Sequence, residues 1–144
     1  MTLRAILKDK PAQIISVTPD TGMRDVIDVL AEKHIGAVLV VDDHGALKGI
    51  LSERDIVRVL AARASETFEL AAADLMTKSP VTASPDITVA KAMEMMTDGR
   101  FRHLPIVENG VLTGLVSIGD VVKARLMQQE HEVDSLRAYV VGTA

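Results

Sequence analysis

Apolar residues along the chain alternate between two periods. Met23, Val26, Ile27 and Leu30 fall at i, i+3, i+4 and i+7, one face of a helix. Ile14 to Thr18 before them is a short apolar run closed by Pro19. Ile35 to Val41 after them is brief and rich in β-branched residues, which favours a buried strand. Asp42-Asp43-His44-Gly45 reads as a turn, Leu47 to Leu51 as the returning strand of a hairpin, and Asp55 to Ala64 as a helix with apolar residues at 56, 57 and 60. Strand, helix, strand, strand, helix then recurs: Val81 to Ala83, Val89 to Met96, Leu104 to Val107, Val111 to Ser117, and a helix after Gly119. Asn109-Gly110 between the last two strands is a strong hairpin signal, because both residues tolerate positive φ. The Ala-rich stretch from Val57 to Ala73 predicts a helical connection.

The recurrence is a duplication. Thr18-Pro19-Asp20 returns as Ser84-Pro85-Asp86, 66 residues later, and Gly49-Ile50-Leu51-Ser52 with Asp55 returns as Gly114-Leu115-Val116-Ser117 with Asp120, 65 later. One deletion near Asp43 reconciles the offsets. A copy of about 60 residues buries too little surface to be comfortably stable alone, so the two are expected to pack as one pseudo-symmetric unit. The expected division is 1–68 for the first repeat with the N-terminal segment, 69–126 for the second, and 127–144 for a C-terminal helical extension. Along that extension Val122, Gln129 and Leu136 alternate with Leu126, Val133 and Val140 at seven-residue steps. This stripe fits either packing on its own module or a dimer contact.

Composition narrows the chemistry. The 144 residues are 48% hydrophobic, one domain's length with an aliphatic core, and disorder is excluded for most of the chain. A net charge of −4 and only three aromatic residues, Phe68, Phe101 and Tyr139, argue against a nucleic-acid binder. No cysteine is present, which removes disulfides, thiolate nucleophiles and Cys-ligated zinc. No apolar run approaches the roughly 18 residues of a membrane span, and charges at Arg4, Lys8, Asp9 and Lys10 interrupt any signal-peptide core. A soluble cytoplasmic protein without a membrane partner is expected. Histidines 34, 44, 103 and 131 show no metal-binding spacing, so no metal is expected. His34 and His44 read as helix-end and turn residues.

Ser52-x-x-Asp55 and Ser117-x-x-Asp120 fit a capping box, in which a Ser side chain and an acid three residues on answer each other's backbone N–H. The same spacing also suits a ligand contact at a helix N-terminus. Gly99-Arg100-Phe101-Arg102-His103 is the densest basic cluster and lies just before a strand. Arg102 can grip a phosphate with its forked guanidinium, and His103 adds charge when protonated.

The Gly-hydrophobic-hydrophobic-Ser-x-x-Asp stretches at 49–55 and 114–120, the Ser/Thr-Pro-Asp openings and Arg102-His103-Leu104-Pro105 resemble the cystathionine-β-synthase (CBS) domain. The pair resembles a Bateman module and covers about residues 15 to 60 and 80 to 125. The resemblance implies an α+β (α/β) fold of two pseudo-twofold related βαββα repeats, clefts between them for adenosine-containing ligands, and homodimerisation. AMP is the foremost implied ligand, followed by ADP, ATP, NAD(H) and S-adenosylmethionine. In the family the Asp takes ribose hydroxyls, a nearby Ser or Thr meets ribose or phosphate, and basic residues meet phosphate. Carried across, this nominates Ser52, Asp55 and Thr18 in the first repeat, and Thr82, Arg102, His103, Pro105, Ser117 and Asp120 in the second. The first repeat departs from the second with Gly36-Ala37 in place of Arg102-His103, which Arg54 can offset, so two unequal sites are expected. With few aromatics, Phe101 is the only ring expected near an adenine. The implied role is a non-catalytic regulatory sensor acting on another protein; a constitutive scaffold with vestigial clefts is the alternative. No activated nucleophile or acid–base pair points to an enzyme.

Overall fold

The computed structural model describes residues 1–10 and 14–141. In chain order the elements are α1 (Leu3–Asp9), β1 (Ser16–Val17), α2 (Met23–Lys33), β2 (Ala37–Val41), β3 (Leu47–Ser52), α3 (Glu53–Arg63), a 3-10 turn (Ala64–Glu69), α4 (Ala72–Leu75), β4 (Thr77–Lys78), α5 (Val89–Gly99), β5 (His103–Glu108), β6 (Val111–Ser117) and α6 (Ile118–Val140). They form two compact units. One comprises Gln13–Val81 with Asn109–Leu112, the other Met1–Ala12, Thr82–Glu108 and Thr113–Ala144.

In the first-repeat unit, β1 runs parallel to β2, β2 antiparallel to β3, and β3 antiparallel to β4. Parallel pairing of β1 and β2 needs a crossover, and α2 supplies it. Its apolar face, Met23, Val26 and Leu30, is buried against Val38, Val40 and Leu51 of the sheet. Gly45 at φ 79° makes the β2–β3 turn, and Asp42 Oδ1 accepts from the backbone N–H groups of His44 and Ala46, both at 2.9 Å. The second repeat shows the same order with less regular strands. Val81 to Ala83, expected as a strand, pairs only through Ala83, bridged in parallel to Ile106 beside the β5–β6 hairpin. Asn109 and Gly110 take φ values of 52° and 78°, as the hairpin signal required. Helices α2 and α5 both end in a left-handed residue, His34 and Arg100, which are 66 positions apart.

Three further sequence expectations change. The Ala-rich connection is not one helix: Ala64 turns the chain at φ 50°, and a 3-10 turn carries it to the separate short helix α4. Helix propensity favours alanine but cannot register where tertiary packing turns the chain, and here the buried Thr67 anchors that turn.

The N-terminal segment, grouped by sequence with the first repeat, belongs to the second-repeat unit. Leu3 and Ile6 are buried in its core with Leu104, Ile106, Val116 and Val121. Leu3 N–H donates to Ile87 (3.0 Å), Arg4 N–H to Pro85 (2.8 Å), and Val89 N–H to the Met1 carbonyl (3.0 Å). In the first-repeat unit α4 makes the corresponding bonds: Ala72 N–H to Thr21 (2.8 Å), Ala73 N–H to Pro19 (2.9 Å), and Met23 N–H to Leu70 (3.0 Å). Thus α1 and α4 each precede one repeat in sequence and pack in the unit of the other. The repeated unit therefore includes an edge helix, supplied from the segment that precedes the other repeat.

The C-terminal extension is also not separate. Helix α6 runs without interruption from Ile118 to Val140, through the boundary expected at 126, and residues 142–144 lie outside the described ones.

Candidate functional site

Both Ser-x-x-Asp stretches sit where an antiparallel strand runs directly into a helix. Ser52 closes β3 and caps α3; Ser117 closes β6 and caps α6. Both capping boxes are complete. Asp55 N–H donates to Ser52 Oγ (3.3 Å) while Asp55 Oδ2 accepts from Ser52 N–H (2.9 Å) and Ser52 Oγ (3.0 Å). Asp120 N–H donates to Ser117 Oγ (3.1 Å), and Asp120 Oδ2 accepts from Ser117 N–H (2.8 Å). The capping reading therefore holds at both places. All of these carboxylate bonds use Oδ2, so among the described residues Oδ1 of each aspartate remains without a hydrogen bond.

Asp120 has a further partner that sequence reasoning missed. Lys10, at the C-terminal end of α1, places Nζ 2.7 Å from Asp120 Oδ2 and 2.8 Å from the Leu115 carbonyl. Burial pushes the Asp120 carboxyl up, but hydrogen bonds from the Lys10 ammonium and Ser117 outweigh it and hold the group below its ordinary value. No spacing rule could have found a contact made across 110 residues. Arg4 on the same helix forks onto Asp86 (2.8 Å) and Glu108 (2.7 Å). Those two acids raise the guanidinium's pKa, Glu108 more than Asp86.

Arg102 lies beside this capping box. Its carbonyl accepts the Ile118 N–H at 2.8 Å, which ties the start of β5 to the first residue of α6. The first repeat makes the same tie, Glu53 N–H to the Gly36 carbonyl at 2.9 Å, with no basic side chain at the glycine. Arg102 is exposed, His103 half-buried and Pro105 buried along β5. Ala83 N–H donates to the Pro105 carbonyl (3.0 Å), and Thr82 precedes Ala83, exposed beside the same strand. The second-repeat unit thus collects Thr82, Arg102, His103, Pro105, Ser117 and Asp120 around one strand and one helix start.

The first-repeat set is not gathered in the same way. Ser52, Asp55 and the exposed Arg54 share the α3 start. Thr18 does not join them. Ser16 pairs with Leu39 and Val17 with Val40, so Thr18 continues toward Val41, whereas Ser52 pairs with Ala37 at the other end of β2. At about 3.3 Å per residue the two ends are roughly 13 Å apart. The Thr18 hydroxyl is engaged locally with Asp20 Oδ1 (2.6 Å) and Thr21 Oγ1 (2.8 Å), and its bond holds the Asp20 carboxyl low. Ser16 instead occupies the place that Thr82 holds in the second repeat, a correspondence already present in the 66-residue offset. Phe101 is half-buried, with its ring packed against Gly99 and the second-repeat core. Among the described residues no group of three or more His, Asp or Glu side chains is placed to hold a metal ion, and no helix is long and apolar enough to cross a membrane.

A duplicated βαββα unit with a Ser-x-x-Asp cap after each hairpin defines a tandem CBS pair. The CBS-domain family model matches residues 6–62 and 72–140, and the chain belongs to that family. The crystal structure of the CBS-domain protein ATU1752 from Agrobacterium tumefaciens is similar, with a TM-score of 0.84 and 39% identity over 87% of this chain and 99% of that one. The crystal structure of CBSX2, a CBS-pair protein of Arabidopsis thaliana, in complex with AMP gives a TM-score of 0.75 and 27% identity over 88% and 97%. The mitochondrial CBS domain-containing protein CBSX3 of Arabidopsis thaliana is 34% identical over 129 residues, 87% of this chain and 63% of that protein. The chain thus spans less than two thirds of that relative, and 25% of the CBS domain-containing protein CBSCBSPB5 from the same plant.

Proposed function

We propose that this chain is a non-catalytic regulatory module that binds an adenosine-containing nucleotide, AMP foremost, chiefly through its second repeat. The observation that carries this reading is the 2.8 Å bond from Ile118 N–H to the Arg102 carbonyl. It holds a basic strand start against the N-terminus of a 23-residue helix whose third residue is Asp120. Phosphate is favoured by helix N-terminal N–H groups and by an arginine fork; ribose hydroxyls are favoured by an ionised carboxylate. Asp120 is kept ionised by Lys10 and offers Oδ1 while Oδ2 is committed to the cap. The AMP complex of the similar CBSX2 supports the ligand class. In the first repeat Ser16, Ser52, Arg54 and Asp55 form a weaker counterpart, because Gly36 and Ala37 supply no phosphate partner.

Regulation follows from differential affinity: a ligand shifts a conformational equilibrium only by as much as it prefers one state. The regulated target is a separate protein, and the site of action is the cytoplasm. The test is a thermal-shift panel of AMP, ADP, ATP, NAD(H) and S-adenosylmethionine. A ligand at 100 times its Kd stabilises by about 2.7 kcal/mol, a visible shift. Stabilisation by AMP that Asp120→Ala removes supports the reading; no response to any of the five leaves a ligand-independent interaction scaffold.

A further inference from the structure

The second half of α6 carries an apolar stripe with nothing on it among the described residues. The helix is held to its unit through Val121 and Ala124, the last buried residues along it. Beyond them Leu126 is 56% exposed, Leu136 63% and Val140 74%. A stretch of about 15 residues is marginal as an isolated helix, so a face this apolar calls for a partner. A groove opens along the same face, lined chiefly by Ile118, Val122, Leu126 and Met127, with Lys123 and Glu130 at its polar edge.

The stripe follows a 3.5-residue period. Leu126, Val133 and Val140 take the a positions, and Val122, Gln129 and Leu136 the d positions. Charges flank this seam in a self-complementary way. Arg125 and Glu132 stand at g, and Glu130 and Arg137 at e. In a parallel, in-register pair each g residue faces the e residue five positions on in the other chain. Arg125 then meets Glu130 of the second copy, and Glu132 meets Arg137. Among the described residues Arg125 has a single long contact, 3.4 Å to Gln128 on its own helix. A fully overlapping antiparallel pair instead sets Glu130 and Glu132 each opposite itself and Lys123 opposite Arg137. Val133 and Val140 at a with Leu136 at d match the pattern that favours two strands.

We propose that residues 122–140 of α6 pair with the same segment of a second copy as a parallel two-stranded coiled coil. The pairing stands independently of nucleotide binding.

The full chain has no cysteine, so single replacements report the geometry cleanly. Disulfides need Cα atoms roughly 4.4–6.8 Å apart, a spacing that equivalent seam positions of parallel chains meet. Under mild oxidation Val133→Cys is expected to give a covalent dimer, and His131→Cys, on the outer face, is expected to stay uncrosslinked. In sedimentation equilibrium Glu132→Arg is expected to weaken dimerisation about tenfold by turning two attractive pairs repulsive, and adding Arg137→Glu is expected to restore it. Both positions are exposed, and circular dichroism checks that the variants fold. A monomeric wild type, equal crosslinking of the two cysteine variants, or a dimer indifferent to Glu132→Arg overturns the proposal.

Discussion

Lys10 Nζ lies 2.7 Å from Asp120 Oδ2, joining the end of the first helix to the cap of the last across 110 residues of chain. The contact ties the docking of α1 to the one carboxylate that both caps α6 and is proposed to hold a ribose. Asp120 is ionised more readily in the folded chain than in the unfolded one.

The pH dependence follows from that direction. A carboxylate with a depressed folded-state pKa contributes stability that is complete above its unfolded value, about 3.9, and is lost as pH falls through the lower folded value. Lys10→Met removes a partly exposed ion pair and is expected to cost about 1 kcal/mol or less at neutral pH. The difference between wild type and variant should stay constant from about pH 7 to 5 and narrow below about pH 4, to what the Lys10 bond to the Leu115 carbonyl contributes. Denaturant titrations across that range measure it; a gap of unchanged size in acid contradicts the assignment.

The two hairpin glycines should respond unequally to alanine. A Cβ on Gly114 meets Leu7 Cδ2 at 2.7 Å, the end of a flexible side chain that can turn away. A Cβ on Gly49 meets the Thr77 carbonyl at 2.7 Å as well as Met76 Sδ at 2.6 Å, and backbone of a paired strand cannot yield as easily. Gly49→Ala is therefore expected to lose about 1–3 kcal/mol, with Gly114→Ala losing clearly less. Chemical denaturation of the two variants checks the order.

Thr67 Oγ1 is fully buried without a hydrogen-bond partner among the described residues. An unpaired buried hydroxyl costs free energy that a methyl of similar shape does not. Thr67→Val is expected to raise stability by about 1 kcal/mol, or about 3 °C in Tm. A lower Tm would show that the hydroxyl is satisfied in solution.

The features legible in the sequence are those written in local or periodic signals. Asn109-Gly110, the face of α2 and the two Ser-x-x-Asp caps each depend on residues within a few positions of one another. The duplication depends on a constant offset, and the same offset identifies Ser16 with Thr82. Contacts across the chain left no such mark. Leu3 and Ile6 of α1 resemble an ordinary amphipathic turn, and only the fold reveals that they fill the second-repeat core. The motif points to Thr18, yet strand register carries it to the far end of β2 from Ser52. The turn at Ala64 was hidden because alanine signals helix whatever tertiary packing demands.

The most direct test of the account is isothermal titration of AMP into wild type, Asp120→Ala, Asp55→Ala and Asp74→Ala. Asp74 answers the Ala71 N–H at the start of α4 (2.9 Å) but lies outside the proposed site, so it controls for loss of a helix cap. Saturable binding is expected in wild type and little changed in Asp74→Ala. Asp120→Ala should weaken it at least about tenfold, the effect of about 1.4 kcal/mol, and Asp55→Ala should weaken it less. Affinity for AMP that is unchanged in a folded Asp120→Ala protein contradicts the central claim.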